Sequence, residues 1–84
     1  MDTQNLLIWL IDEKKMSKRA AKDVLSRCGR VYRILGISQL DDSSLVKLQE
    51  TQEFKGSSVF VRSQLKRTIM LCLEFMNIVE KEQV

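Results

Sequence analysis

Residues 17–36, SKRAAKDVLSRCGRVYRILG, decide the fold. Ser17 has a side chain typical of a helix N-cap, and Gly36 stands where a left-handed residue ends a helix, so the stretch predicts one helix that runs to Leu35. At 100° per residue one face collects the apolar side chains of Ala21, Val24, Leu25, Cys28, Val31, Tyr32 and Leu35. The stretch therefore predicts an amphipathic helix that packs against a core on one side.

The opposite face of this helix is almost purely basic. It carries Arg19, Lys22, Ser26, Arg30 and Arg33, and the only acid within the helix is Asp23. A helix whose charges serve only solubility commonly alternates Glu and Lys at four-residue spacing, whereas like charges at that spacing cost a few tenths of a kcal/mol per pair. The phosphates of a nucleic acid would offset this repulsion.

Three further helices are predicted around this element. The first is capped by Thr3 or Asp2 and runs to about Lys15, and the last spans about Ser58 to Glu80 and is the most apolar. Between them, a short helix from Ser43 to about Gln52 directs Leu45, Val46 and Leu48 to the core. Residues 54–57 are predicted to form a loop with Phe54 turned inward, and Met70 and Met76 to fill the core.

Length and composition agree with an all-α fold. The chain has 84 residues, of which 44% are hydrophobic and 30% charged, and it contains no Pro and three Gly. This small number of helix-breaking residues favours long helices with short connections. A chain of this length has room for one core, so residues 1–84 are predicted to form a single domain.

The residue types argue against catalysis, cofactors and small-molecule substrates. There is no His, and Cys28 and Cys72 cannot make a disulfide framework or a metal site by themselves. Both cysteines are interpreted as reduced and buried, which is typical of the cytoplasm. No phosphate-binding loop or nucleophile motif occurs, and no apolar run is long enough to span a membrane. We therefore expect a cytoplasmic binding protein without an active site, a metal or a membrane partner.

Charge is concentrated in two segments. The net charge is +3, but residues 14–33 contain eight basic residues and one acidic residue, for a net +7, and residues 55–67 contain four basic residues, for +4. A fold that brings both segments to one surface would attract a polyanion. The sequence thus favours a nucleic acid as partner, and the alternative is a helical module that docks on an acidic protein.

Two stretches also resemble a known family. LLIWLIDEKKMSKRAAKDVLSRCGRVYRILGI, an acidic short helix and VRSQLKRTIMLCLEFM together are similar to the N-terminal core-binding (SAM-like) domain of tyrosine recombinases and phage integrases. The residues that match the second helix of that domain are Ser17, Arg19, Lys22, Tyr32, Leu35 and Gly36, and those that match its last helix are Lys66, Arg67, Leu71, Phe75 and Met76. The chain departs from the family at Ala20, where Thr is usual, and at Val24, where Tyr is usual.

The resemblance implies a compact four-helix orthogonal bundle that forms half of a clamp around double-stranded DNA, next to other recombinase protomers. The catalytic Arg, Lys, His and Tyr of such enzymes belong to a separate domain, so this chain would be a DNA-binding domain for site-specific recombination and DNA integration, either as a segment of a recombinase or as a free-standing relative. The residues expected to contact DNA are Ser17, Lys18, Arg19, Lys22, Ser26, Arg30, Arg33, Arg62, Ser63, Lys66 and Arg67.

Overall fold

The fold is all-α. A computed structural model describes the backbone of residues 3–82 and the side chains of residues 3–79, and no strand occurs within them. Within residues 3–82 five helices follow one another: α1 (Thr3–Asp12), α2 (Lys18–Leu35), α3 (Ser44–Gln49), α4 (Gln52–Lys55) and α5 (Val59–Glu82). The Cα atoms extend over 36 × 29 × 16 Å, and the short dimension fits two packed layers of helices.

Both predicted ends of α2 are confirmed. The Oγ atom of Ser17 accepts a hydrogen bond from the backbone N–H of Ala20 at 3.1 Å. At the other end Gly36 has a φ of 65°, and its N–H and that of Ile37 both donate to the carbonyl of Tyr32. The caps satisfy backbone groups that the helix itself leaves unpaired, so local sequence is sufficient to fix the length of α2.

Substitution of Gly29 and of Gly36 by Ala is expected to change the stability of the protein in opposite directions. Gly29→Ala should stabilise the protein by about 0.5–1 kcal/mol, because a Cβ at this helical position would meet only Arg33 Nη1, at 3.8 Å. Gly36→Ala should destabilise it by about 1–2 kcal/mol, because the left-handed backbone is costly for a residue with a Cβ even though nothing else lies within 4 Å. Urea unfolding of the two variants measures both changes in stability. Changes of the same sign would contradict the backbone conformations assigned to the two glycines.

One hydrophobic core joins all five helices. The pair α2 and α5 makes the most extensive contact, α1 packs on both, and α3 packs on α2, α4 and α5. The side chains of Leu6, Leu10, Val31, Leu48 and Ile69 are completely buried. Trp9 is half-buried and packs on the ring of Phe75, with ring centroids 5.5 Å apart, as expected of a core aromatic residue. This arrangement fixes α2 and α5 side by side.

The structure corrects two of the predicted elements, the first helix and the third. α1 ends at Asp12 instead of Lys15, because Lys15 adopts a φ of 57° and the N–H of Met16 turns back to the carbonyl of Leu10. Thr3 is the first residue of α1 and not its cap, and Asp2 lies outside the described residues. The short third helix is only six residues long.

The segment predicted to be a loop at 54–57 begins inside an additional helix. Thr51 caps α4, its Oγ1 accepting from the N–H of Phe54 at 3.2 Å. The predicted burial of Phe54 is confirmed, since 7% of its surface is exposed. Burial of the Phe54 ring stabilises this helical turn. The polar residues around Phe54 give no indication of it in the sequence.

Two apolar side chains assigned to the core are instead on the surface. Val46 is 58% exposed and Met70 is 62% exposed. In α3 the buried residues are Ser44 and Leu48, and Val46 lies two positions from each and so on the other side of the helix. Met70 follows Ile69, which is completely buried, and is rotated about 100° away from it.

Candidate nucleic-acid interface

The basic face of α2 points away from the core. Ala21, Val24, Cys28 and Val31 are the buried residues of the helix. On the opposite side the predicted DNA-contacting residues of α2 are all exposed: Lys18, Arg19, Lys22, Ser26, Arg30 and Arg33. Ser17 is exposed as well, although its Oγ already serves as an acceptor in the N-cap. The basic face of α2 is the exposed side of the helix that carries these residues.

No described acidic residue forms a salt bridge with the basic face. Within the described part of the chain the single salt bridge joins Lys14 Nζ to Glu74 Oε1 at 2.8 Å, and the same ammonium lies 5.3 Å from the centre of the Trp9 ring. None of the basic residues predicted to contact DNA takes part in a salt bridge with another described residue. Their positive charge is therefore available to an external anion.

The predicted residues of α5 are placed less uniformly. Ser63, Lys66 and Arg67 are exposed and line a shallow surface depression of about 760 Å³ together with Asp42 and Met70. Arg62 is half-buried and does not line it. The predicted α5 set is thus brought together in part, with Arg62 set apart from the other three.

A groove between α2 and α5 contains one of the predicted residues, Arg67. It has a volume of about 280 Å³, and Arg27 of α2 and Arg67 of α5 line it. Ala20, Val24 and Leu71 are among its apolar lining residues. Arg67 lines both the groove and the shallow depression, whereas no predicted residue of α2 lines either of them.

Arg27 was not among the predicted site residues. Arg27 belongs to the basic segment 14–33, but it is half-buried and lies beside the apolar side of α2, not at the centre of the basic face. Only the packing of α5 places a second guanidinium, that of Arg67, on the same groove. Two guanidinium groups can together hold a phosphate through paired hydrogen bonds. Asp23, which also lines the groove, limits this attraction.

Asp41 is held by hydrogen bonds at the start of α3. Asp41 precedes α3, and its carboxylate Oδ1 accepts from the backbone N–H of Ser43 at 2.8 Å. The side-chain and backbone hydrogen bonds from Ser43 lower the pKa of Asp41 below its ordinary value, so this group is charged at neutral pH. Its hydrogen bonds serve the start of α3, since the Oγ of Ser44 accepts from the N–H of Asp41 at 2.9 Å.

The described residues contain no group of three or more His, Cys, Asp or Glu side chains that could hold a metal ion. Among the helices of residues 3–82, none is both long enough and apolar enough to cross a membrane. Comparison with known proteins gives no match: no family model fits the chain, and no curated protein or solved structure is significantly similar to it.

Proposed function

We propose that the chain binds double-stranded DNA as a non-catalytic domain of the kind found in phage-integrase-type tyrosine recombinases. The observation that carries the proposal is the basic face of α2, which is exposed, turned from the core and free of salt bridges within the described part of the chain. The family resemblance adds that α1, α2, α3 and α5 would correspond to the four helices of an orthogonal bundle, with α4 as an additional turn.

Under this proposal phosphate contacts supply most of the affinity. Arg19, Lys22, Arg30 and Arg33 would contact the backbone from α2, and Lys66 and Arg67 would do so from α5. The hydroxyls of Ser26 and Ser63 are exposed on the same two helices and would reach phosphates or base edges. Catalysis of strand exchange would belong to another domain, and neighbouring protomers on DNA would be protein partners in the cytoplasm.

The salt dependence of binding tests the proposal. If about four phosphates are neutralised, the logarithm of the association constant should fall with the logarithm of the salt concentration with a slope of roughly −3.6. Because this domain would form only half of a clamp, we expect micromolar or weaker affinity at physiological salt. Titration of a fluorescent duplex at several salt concentrations measures both. Affinity independent of salt, or no binding at low salt, would reject the proposal.

One observation favours a second candidate, an interaction module for an acidic protein. Val59 and Phe60 at the start of α5 are each 69% exposed, and Met70 lies further along the same helix. Met70 lines the same depression as Lys66 and Arg67, and aromatic residues, Met and Arg are enriched in protein interfaces. Phe60→Ser should weaken such a complex but leave DNA affinity within about twofold, because base stacking is not expected from a duplex contact dominated by phosphates.

A further inference from the structure

The two cysteines of the chain meet in the buried contact between α2 and α5. Cys28 of α2 is 4% exposed and Cys72 of α5 is completely buried. The Sγ of Cys72 donates a hydrogen bond to the Sγ of Cys28 over a distance of 3.2 Å. Both are free thiols in the structure. A disulfide has a sulfur–sulfur distance of about 2.0 Å, so the sulfur atoms would need to approach by only about 1 Å.

We propose that Cys28 and Cys72 form an oxidisable pair, a modification site at which a small-molecule disulfide converts the two thiols into a disulfide that joins α2 to α5. This inference does not depend on DNA binding. It rests on the position of two sulfur atoms on the two helices that make the most extensive contact of the fold.

The environment of the pair distinguishes the two sulfurs. The hydrogen bond from Cys72 lowers the pKa of Cys28, while burial opposes the shift. The same hydrogen bond, together with burial, raises the pKa of Cys72. Cys28 is therefore the sulfur that attacks first.

The reaction follows thiol–disulfide exchange. The Cys28 thiolate attacks one sulfur of the small disulfide, breaks its S–S bond and releases one thiolate. The Sγ of Cys72 then loses its proton, attacks the Cys28 sulfur of the mixed disulfide and expels the second thiolate. The chain has lost two electrons and two protons, and the small disulfide has been reduced to two thiols. Access of the oxidant to this buried site occurs through local opening.

Glutathione redox buffers test the proposal on the intact chain. The reaction is brought to equilibrium in native buffer and in concentrated urea, quenched with acid and analysed by intact mass, where the disulfide form lacks two hydrogen atoms and carries no glutathione. We expect the effective concentration of the pair to be at least about 100-fold higher in native buffer, because folding holds the sulfurs together whereas the unfolded chain must close a long loop. An equal or lower value in native buffer would overturn the proposal.

A second measurement uses thermal unfolding of the two forms. The oxidised form should melt roughly 10 °C or more above the reduced form, since the disulfide restricts the unfolded chain. Cys72→Ser serves as the matched control, because glutathione attached to Cys28 then has no neighbouring thiol to displace it. A lower melting temperature for the oxidised wild type, or a mixed disulfide that persists in the wild type as in the control, would contradict an oxidisable pair.

Discussion

Simultaneous reversal of Arg19 and Lys66 to Glu should lower the affinity for duplex DNA by about 100-fold or more at low salt. Both side chains are exposed, one on α2 and one on α5, and neither forms a salt bridge with a described residue. Each substitution removes a phosphate contact and adds a repelling charge. Because each lost contact removes about 0.9 from the salt slope, the slope should change from roughly −3.6 to roughly −1.8.

A control with the same total charge separates a local contact from general attraction. Lys47→Glu with Lys55→Glu changes the net charge by the same amount, but the two exposed lysines lie on α3 and α4. We expect this variant to lose less than about fivefold in affinity and to keep most of the salt slope, because its phosphate contacts remain. Equal losses in the two double variants would show that net charge alone drives binding and that the basic face has no special role.

The role of Arg27 can be tested in the same DNA titration. Its substitution by Gln removes one of the two guanidinium groups that line the α2–α5 groove while retaining a polar side chain. A loss similar to that of Arg67→Gln would extend the interface into the groove. Unchanged affinity would limit the interface to the outer basic face.

The sequence was most informative where local chemistry determines the structure. The caps at Ser17 and Gly36 define α2, and the period of its apolar residues identifies which side is buried, so the direction of the basic face followed from one segment. At Lys15, in contrast, the local sequence does not predict the structure. Lysine has no preference for a left-handed backbone, and the early end of α1 depends on the hydrogen bond from Met16 to Leu10, which periodicity does not encode.

Relations between helices could not be predicted in the same way. Arg27 and Arg67 line one groove, and Cys28 and Cys72 come within hydrogen-bonding distance, only because α2 packs directly on α5. The net charges of the segments indicate two basic regions but contain no information on the angle between them. Pairwise packing depends on side-chain shape at the contact, and single-helix periodicity contains no information on which partner a face will choose.

The largest effect on stability is expected from Ile69→Ala. Ile69 lies in α5 between Thr68 and Met70, is completely buried and belongs to the single core of the protein. Truncation of this side chain to Ala leaves a cavity that the surrounding helices cannot fill. The free energy of unfolding should therefore fall by about 2–5 kcal/mol. A domain of this length is stable by only roughly 4–13 kcal/mol, so the melting temperature should fall by roughly 10–30 °C.

Met70→Ala is the matched control for this cavity, since it truncates the next residue of the same helix at a position that is 62% exposed. The helical propensity of Ala is at least that of Met, so the free energy of unfolding should change by less than about 0.5 kcal/mol. Both variants are to be unfolded with urea under reducing conditions, because a disulfide between Cys28 and Cys72 would stabilise the contact that Ile69 supports. Similar losses for the two variants would mean that α5 presents a different side to the core, and the assignment of Lys66 and Arg67 to its outer surface would then have to be abandoned with it.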